Sequence, residues 1–192
     1  GDGTVTGVQT CALPISALLP ALVKIGEPEL AAAVFLQEEV PGWLAQAERG
    51  ATTIWERWDG IKADGTIFEP QMNSYNHYAY GAVCQWLFES VAGFRPDPAH
   101  PAFARILFEP TVIPALAPVR AYHDATTGRI EAEWSLEGDR VTYVVTVPAG
   151  AEGEFIGAAR YRDVAVDGKQ VPTGTDGKAR GLLAPGRHIV TF

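Results

Sequence analysis

At 192 residues, 47% hydrophobic and 20% charged, the chain can bury a sizeable core and reads as globular rather than disordered. A net charge of −8, with no basic run, argues against nucleic acid as a partner, since that binding rests on Lys and Arg facing phosphates. No apolar run reaches the length that a membrane helix needs. Two cysteines, Cys11 and Cys84, make neither a disulfide framework nor a metal-ligand pattern, and the four histidines form no HxxxH or HExxH arrangement that would hold zinc.

Residues 1–16 show no clear period, start without methionine and lack the basic and apolar regions of a signal peptide. The run Gly7–Ile15 resembles translated sequencing adaptor, so this segment is expected to be foreign to the gene, with the true protein extending upstream. Ala17 to Gly26 is helix-like, interrupted by Pro20 and stopped by Gly26. Pro28 sits where a helix tolerates proline, in its first turn. Leu30, Ala31, Val34, Phe35 and Glu38 follow at helical spacing and predict one buried stripe. Pro41-Gly42 breaks the pattern. A short helix from Trp43 to Arg49 should end at Gly50.

Residues 51–71 read as irregular, with a turn at Ala63-Asp64-Gly65 and Pro70 against any regular element. The densest chemistry of the chain lies here. Trp55, Glu56, Arg57, Trp58 and Asp59 set two indoles beside two carboxylates and a guanidinium. Indoles favour burial, whereas carboxylates resist it unless paired. Sugar sites need that mixture, because aromatic faces stack on pyranose rings while carboxylates hold hydroxyls or move protons. Taken alone, a carboxylate such as Glu56 is more often a paired structural group than a base, and Trp55 and Trp58 are as readily core as sugar platforms.

The pattern predicts one long helix from Asn73 to Phe94, capped by Asn73, Ser74 or Asn76 and ended by Gly93. His77, Gly81, Cys84 and Phe88 would share a stripe, with Cys84 buried as a small hydrophobe and Gly81 admitting a close neighbour. Prolines then crowd residues 95–118, a connector with one strand at 104–109. From Arg129 the period changes to two. Ile130, Ala132, Trp134 and Leu136 alternate with polar residues, Gly138-Asp139 turns the chain, and Val141, Tyr143, Val145 and Val147 return as the second strand of a hairpin. Further strands are expected near 154–159, 161–166 and 187–192, divided by Asp-Gly turns. Helices first and strands later imply two structural units rather than alternating βαβ.

Three motifs give the chain a resemblance. They are Pro41-Gly-Trp43, the run Gly50-Ala-Thr-Thr-Ile-Trp-Glu-Arg-Trp-Asp-Gly60, and Met72-Asn-Ser-Tyr-Asn-His-Tyr-Ala-Tyr-Gly-Ala82. With them, residues 17–192 resemble the C-terminal part of bacterial α-L-rhamnosidases, inverting glycosidases with an (α/α)6-barrel catalytic domain followed by a β-sandwich. The resemblance implies that residues 17–95 are the C-terminal helices of that barrel, 96–111 a linker, and 112–192 an antiparallel β-sandwich. It implies that Glu56 is the general base, drawing a proton from the water that attacks the anomeric carbon. His77 would hydrogen-bond a rhamnose hydroxyl, and Trp55, Trp58 and Arg57 would line the sugar, Arg57 braced by Asp59. Inversion needs two carboxyls roughly 6.5–9.5 Å apart. No residue here aligns with the family's acid, so the chain alone is expected to be inactive. Cys84 departs from the glycine common at its position.

Rhamnose-containing glycosides are the implied partners, with no cofactor, nucleic acid or membrane. Self-association and compartment, cytoplasmic or secreted, stay open. Two other readings remain: an (α/α)6-barrel glycosidase of another specificity, or a non-catalytic carbohydrate-binding module using the sandwich. Against the latter, the strands show no exposed aromatic row beyond Tyr161.

Overall fold

The computed structural model describes residues 17–71 and 73–192; the expectation for residues 1–16 lies outside them. The chain divides into two compact units between Trp86 and Leu87. No described helix is long and apolar enough to cross a membrane.

The described part of the first unit is helical at both ends and irregular between. Residues 17–24 are helical, and Gly26 stops them at φ +89°, a left-handed conformation that glycine adopts without penalty. Helix Pro28–Phe35 begins on its proline as expected, but its face is narrower than predicted. Ala31 and Ala32 are buried, while Leu30 stays 48% exposed. Helix Trp43–Glu48 ends at Arg49 and Gly50, buries Trp43, Ala45 and Gln46, and carries a largely irregular chain behind it.

The predicted helix from Asn73 to Phe94 is three pieces. It starts only at Tyr78, with His77 as its cap, and runs as Tyr78–Gly81 and Val83–Trp86. Wider π-helical turns, Leu87–Ala92, belong to the second unit. Residues 73–77 are withheld from the helix because their backbone groups pair with residues 54–56. Val83 and Trp86 take the buried side, which leaves Cys84 exposed rather than buried. Gly81 has open space where a Cβ would stand, so close packing does not account for it.

In the second unit ten strands form two sheets. The four-stranded sheet runs β1 (Phe94–Pro96), β2 (Arg105–Phe108), β6 (Glu152–Gly157), β9 (Ala179–Leu183). The six-stranded sheet runs β3 (Val119–Ala125), β4 (Gly128–Glu137), β5 (Arg140–Val147), β10 (Gly186–Thr191), β7 (Ala165–Val166), β8 (Lys169–Gln170). Every pairing is antiparallel except β2 with β6.

The β4–β5 hairpin pairs Trp134 with Tyr143 and Ala132 with Val145. Alternate residues therefore point inward, and Ile130, Trp134, Tyr143 and Val145 are fully buried with Phe108 and Phe155. The unit begins before the expected joint at 95–96, because β1 pairs with β2 from inside and just ahead of the expected linker. Tyr161 is no exposed platform. Its ring packs on Phe192 at 4.2 Å, and its hydroxyl donates to Pro110 O and accepts from Val112 N.

Candidate active site

Two irregular segments of the first unit, 53–60 and 73–77, lie paired side by side. Glu56 N donates to Ser74 O at 2.8 Å and His77 N donates to Ile54 O at 2.8 Å. Thr53 Oγ1 donates to Tyr75 O. Tyr75 Oη donates to Gly60 O at 2.9 Å, and Asn73 Nδ2 donates to Phe68 O at 3.1 Å and Gly60 O at 3.3 Å. This pairing brings Glu56 and His77 together from positions far apart in sequence.

The two carboxylate oxygens of Glu56 are not equivalent. Oε2 accepts from Ser74 N at 3.0 Å. Oε1 faces His77 Nε2 at 4.0 Å, too far for a direct hydrogen bond. The other ring nitrogen, Nδ1, accepts from Ala79 N at 3.4 Å as the helix cap. That bond leaves Nε2 as the ring nitrogen free to donate, 4.0 Å from the carboxylate. Both side chains are about one-third open, 35% for Glu56 and 28% for His77, so a small polar molecule can reach them.

The remaining expected residues fall into different roles. Trp55 is 3% exposed and meets Tyr75 edge-on at 5.6 Å, so it is a core residue of this unit. Trp58 is half-buried and joins an aromatic cluster, 4.2 Å from Tyr80 and 5.1 Å from Trp43 between ring centroids. The Arg57 guanidinium stands 3.9 Å over the Phe68 ring, and its Nε donates to Asp59 Oδ1 at 3.1 Å. Cation–π contact and ion pair together fix it in place. Tyr78 stacks parallel on His77 at 5.6 Å and is 89% exposed.

Sequence reasoning passed over Gln46, which is only 1% exposed. Its Oε1 accepts from Trp55 N at 3.1 Å, and its Nε2 donates to Arg57 O at 3.2 Å. The available signal was its spacing: Gln46 stands three residues after Trp43, on the helix face that an apolar residue would occupy. Among the described residues no group of three or more His, Cys, Asp or Glu could hold a metal ion.

Residues 3–91 match the family model of the bacterial α-L-rhamnosidase six-hairpin glycosidase domain, and residues 93–170 match that of the bacterial α-L-rhamnosidase C-terminal domain. The chain belongs to the bacterial α-L-rhamnosidase family. It is 32% identical over 137 residues to an α-L-rhamnosidase of Streptomyces avermitilis, covering 71% of this chain and 13% of that protein. It is also 32% identical over 161 residues to one of an Alteromonas species, covering 83% and 17%. The crystal structure of the Streptomyces avermitilis rhamnosidase complexed with L-rhamnose matches at a TM-score of 0.81 and 28% identity, over 94% of this chain and 18% of that one. The native rhamnosidase of Aspergillus terreus matches at 0.75 and 29%, over 92% and 18%. The chain thus spans under a fifth of the length of these relatives. The rhamnosidase architecture of closing barrel helices followed by a β-sandwich accounts for the order of its two units.

Proposed function

We propose that this chain carries the general-base half of a rhamnosidase active site, which in the intact enzyme hydrolyses terminal α-L-rhamnose from glycosides with inversion. The observation that supports this most directly is the asymmetry at Glu56. Ser74 N holds Oε2, so Oε1 is the oxygen left to accept a proton, and it looks across 4.0 Å at His77 Nε2. One oxygen atom about 2.8 Å from each, the usual hydrogen-bond distance, fits that gap. A water there donates to Glu56 while accepting from His77, and removing its proton makes it the nucleophile. The His77 N–H serves one acceptor at a time, this water or a rhamnose hydroxyl beside it. Trp58 and Arg57 border the sugar, while the buried Trp55 packs on Tyr75.

In this reading the residues up to Trp86 close the barrel and the unit from Leu87 onward forms the sandwich, with β1 and β2 in its sheet where a linker over 96–111 was expected. The acid that protonates the leaving oxygen is supplied outside the matching motifs of this chain.

Release of nitrophenol from nitrophenyl α-L-rhamnoside tests the assignment. In a full-length rhamnosidase containing this segment, Glu56→Gln should lower turnover by at least a thousandfold while rhamnose binding persists. The 192-residue chain alone should release none. Turnover near the parent level in Glu56→Gln removes the base assignment, and turnover by the chain alone removes the claim that its acid lies elsewhere.

A further inference from the structure

We propose that Gln46 is a positioning residue for Glu56, acting on the backbone to either side of it. The proposal rests on the reading of Glu56 as the base. A primary amide buried to 1% exposure is unfavourable unless both of its ends are bonded. Here both ends go to backbone groups of the two residues on either side of Glu56. Oε1 receives the N–H before Glu56, from Trp55, and Nε2 reaches the carbonyl after it, on Arg57. Gln46 is thus a splint across the irregular residues 55–57, set from helix Trp43–Glu48.

Ser74 completes the hold from the opposite side. Its carbonyl accepts from Glu56 N and its N–H donates to Glu56 Oε2. Four hydrogen bonds therefore surround Glu56, and Oε1 alone is left toward His77. The hydrogen bonds of the Gln46 amide go to backbone and not to the carboxylate, so its effect on chemistry runs through the position of Glu56. Few side chains can replace it. A glutamate keeps the acceptor for Trp55 N and loses the donor for Arg57 O; a lysine does the reverse. Asparagine carries both groups one methylene too short. Methionine matches the length and offers neither.

The test uses a full-length rhamnosidase containing this segment, with nitrophenyl α-L-rhamnoside as substrate and rates expressed per folded enzyme. Gln46→Met should lower kcat by about 10- to 100-fold with KM held within about twofold, the signature of a displaced catalytic group. A residue that only supports the fold changes the amount of active enzyme and leaves kcat per folded molecule alone. In the Glu56→Gln background, adding Gln46→Met should cause no further loss, because a residue acting through Glu56 has nothing left to position. Should Gln46→Met not fold, Gln46→Glu carries the same comparison.

Turnover per folded enzyme within twofold of the parent overturns the proposal. So does an equal additional loss in the double variant. If Glu56→Gln itself retains turnover, the base assignment falls on that result. If Glu56→Gln is inactive and Gln46→Met is not impaired, the positioning role alone falls.

Discussion

A single glycine illustrates how one residue sets a boundary in this chain. Gly93 closes the helical stretch at φ +80°, and a Cβ built on it would lie 2.3 Å from Pro110 Cα. Its N–H donates to Phe88 O and its carbonyl accepts from Glu109 N. Gly93→Ala meets both a left-handed backbone penalty of roughly 1–2 kcal/mol and an overpacking cost of about 1–3 kcal/mol. Unfolding of the chain in urea should show a loss of about 3 kcal/mol; an unchanged midpoint would mean the backbone moves aside without cost. Gly93 was legible in the sequence as a stop signal. Glu56 and His77 were legible because their motifs are long and mix residue types that seldom share a short segment. Gln46 was not, since a lone polar residue in a short helix shows nothing until its partners are seen.

At the scale of elements, the β4–β5 hairpin was plain from strict alternation, and it pairs in the register that alternation implies. Strand β3 was not, because it presents little to the core: its burial alternates only between exposed and half-buried positions. The broken helix failed for a different reason. Local signals favoured a start at Asn73, but residues 73–77 satisfy the backbone of residues 54–56, and a backbone group bonded there cannot also join a helical ladder.

The hairpin is tied to segment 87–93 by two buried donors. Trp134 Nε1 donates to Val91 O at 2.7 Å and Tyr143 Oη donates to Ala92 O at 2.9 Å. Burial pushes the Tyr143 phenol well above its usual pKa, so it stays a neutral donor. Tyr143→Phe keeps the ring and strands the Ala92 carbonyl, costing about 1–2 kcal/mol in the denaturant unfolding of the chain. Stability equal to the parent would show that the hydroxyl is not an anchor.

Across the whole molecule, acid sensitivity follows from its carboxylates. Burial by itself raises the pKa of Glu109. Hydrogen bonds from Lys178 and Arg95, both at 2.7 Å, with their charges, overcome that and hold it below the usual range. Asp97 is lowered first by the Ala99 N–H and Asp167 first by the Ile189 N–H. The Arg129 and Arg180 guanidiniums lower Asp124 and Asp176. A carboxyl depressed in the folded state binds its proton more readily once unfolded. Its contribution is therefore complete above about pH 4.5, the unfolded value, and is lost as pH falls through the folded pKa. Thermal unfolding midpoints should decline from about pH 4.5 downward, and Glu109→Gln should flatten part of that decline. A slope identical to the parent's would assign the acid sensitivity to other groups.

The pairing of residues 53–60 with 73–77 has a consequence for how such a chain can diversify. Residues 61–71 between the two stems form a closed excursion, tied at its base by Gly60, Phe68 and Asn73 and folded back on itself through the Ile61–Ile67 bridge. Lengthening a loop whose ends are already fastened costs little, since closure entropy grows only slowly with length. The tip at Ala63-Asp64-Gly65 can thus gain or lose residues while Glu56 and His77 keep their distance. New surface can be tried there without disturbing the pairing itself.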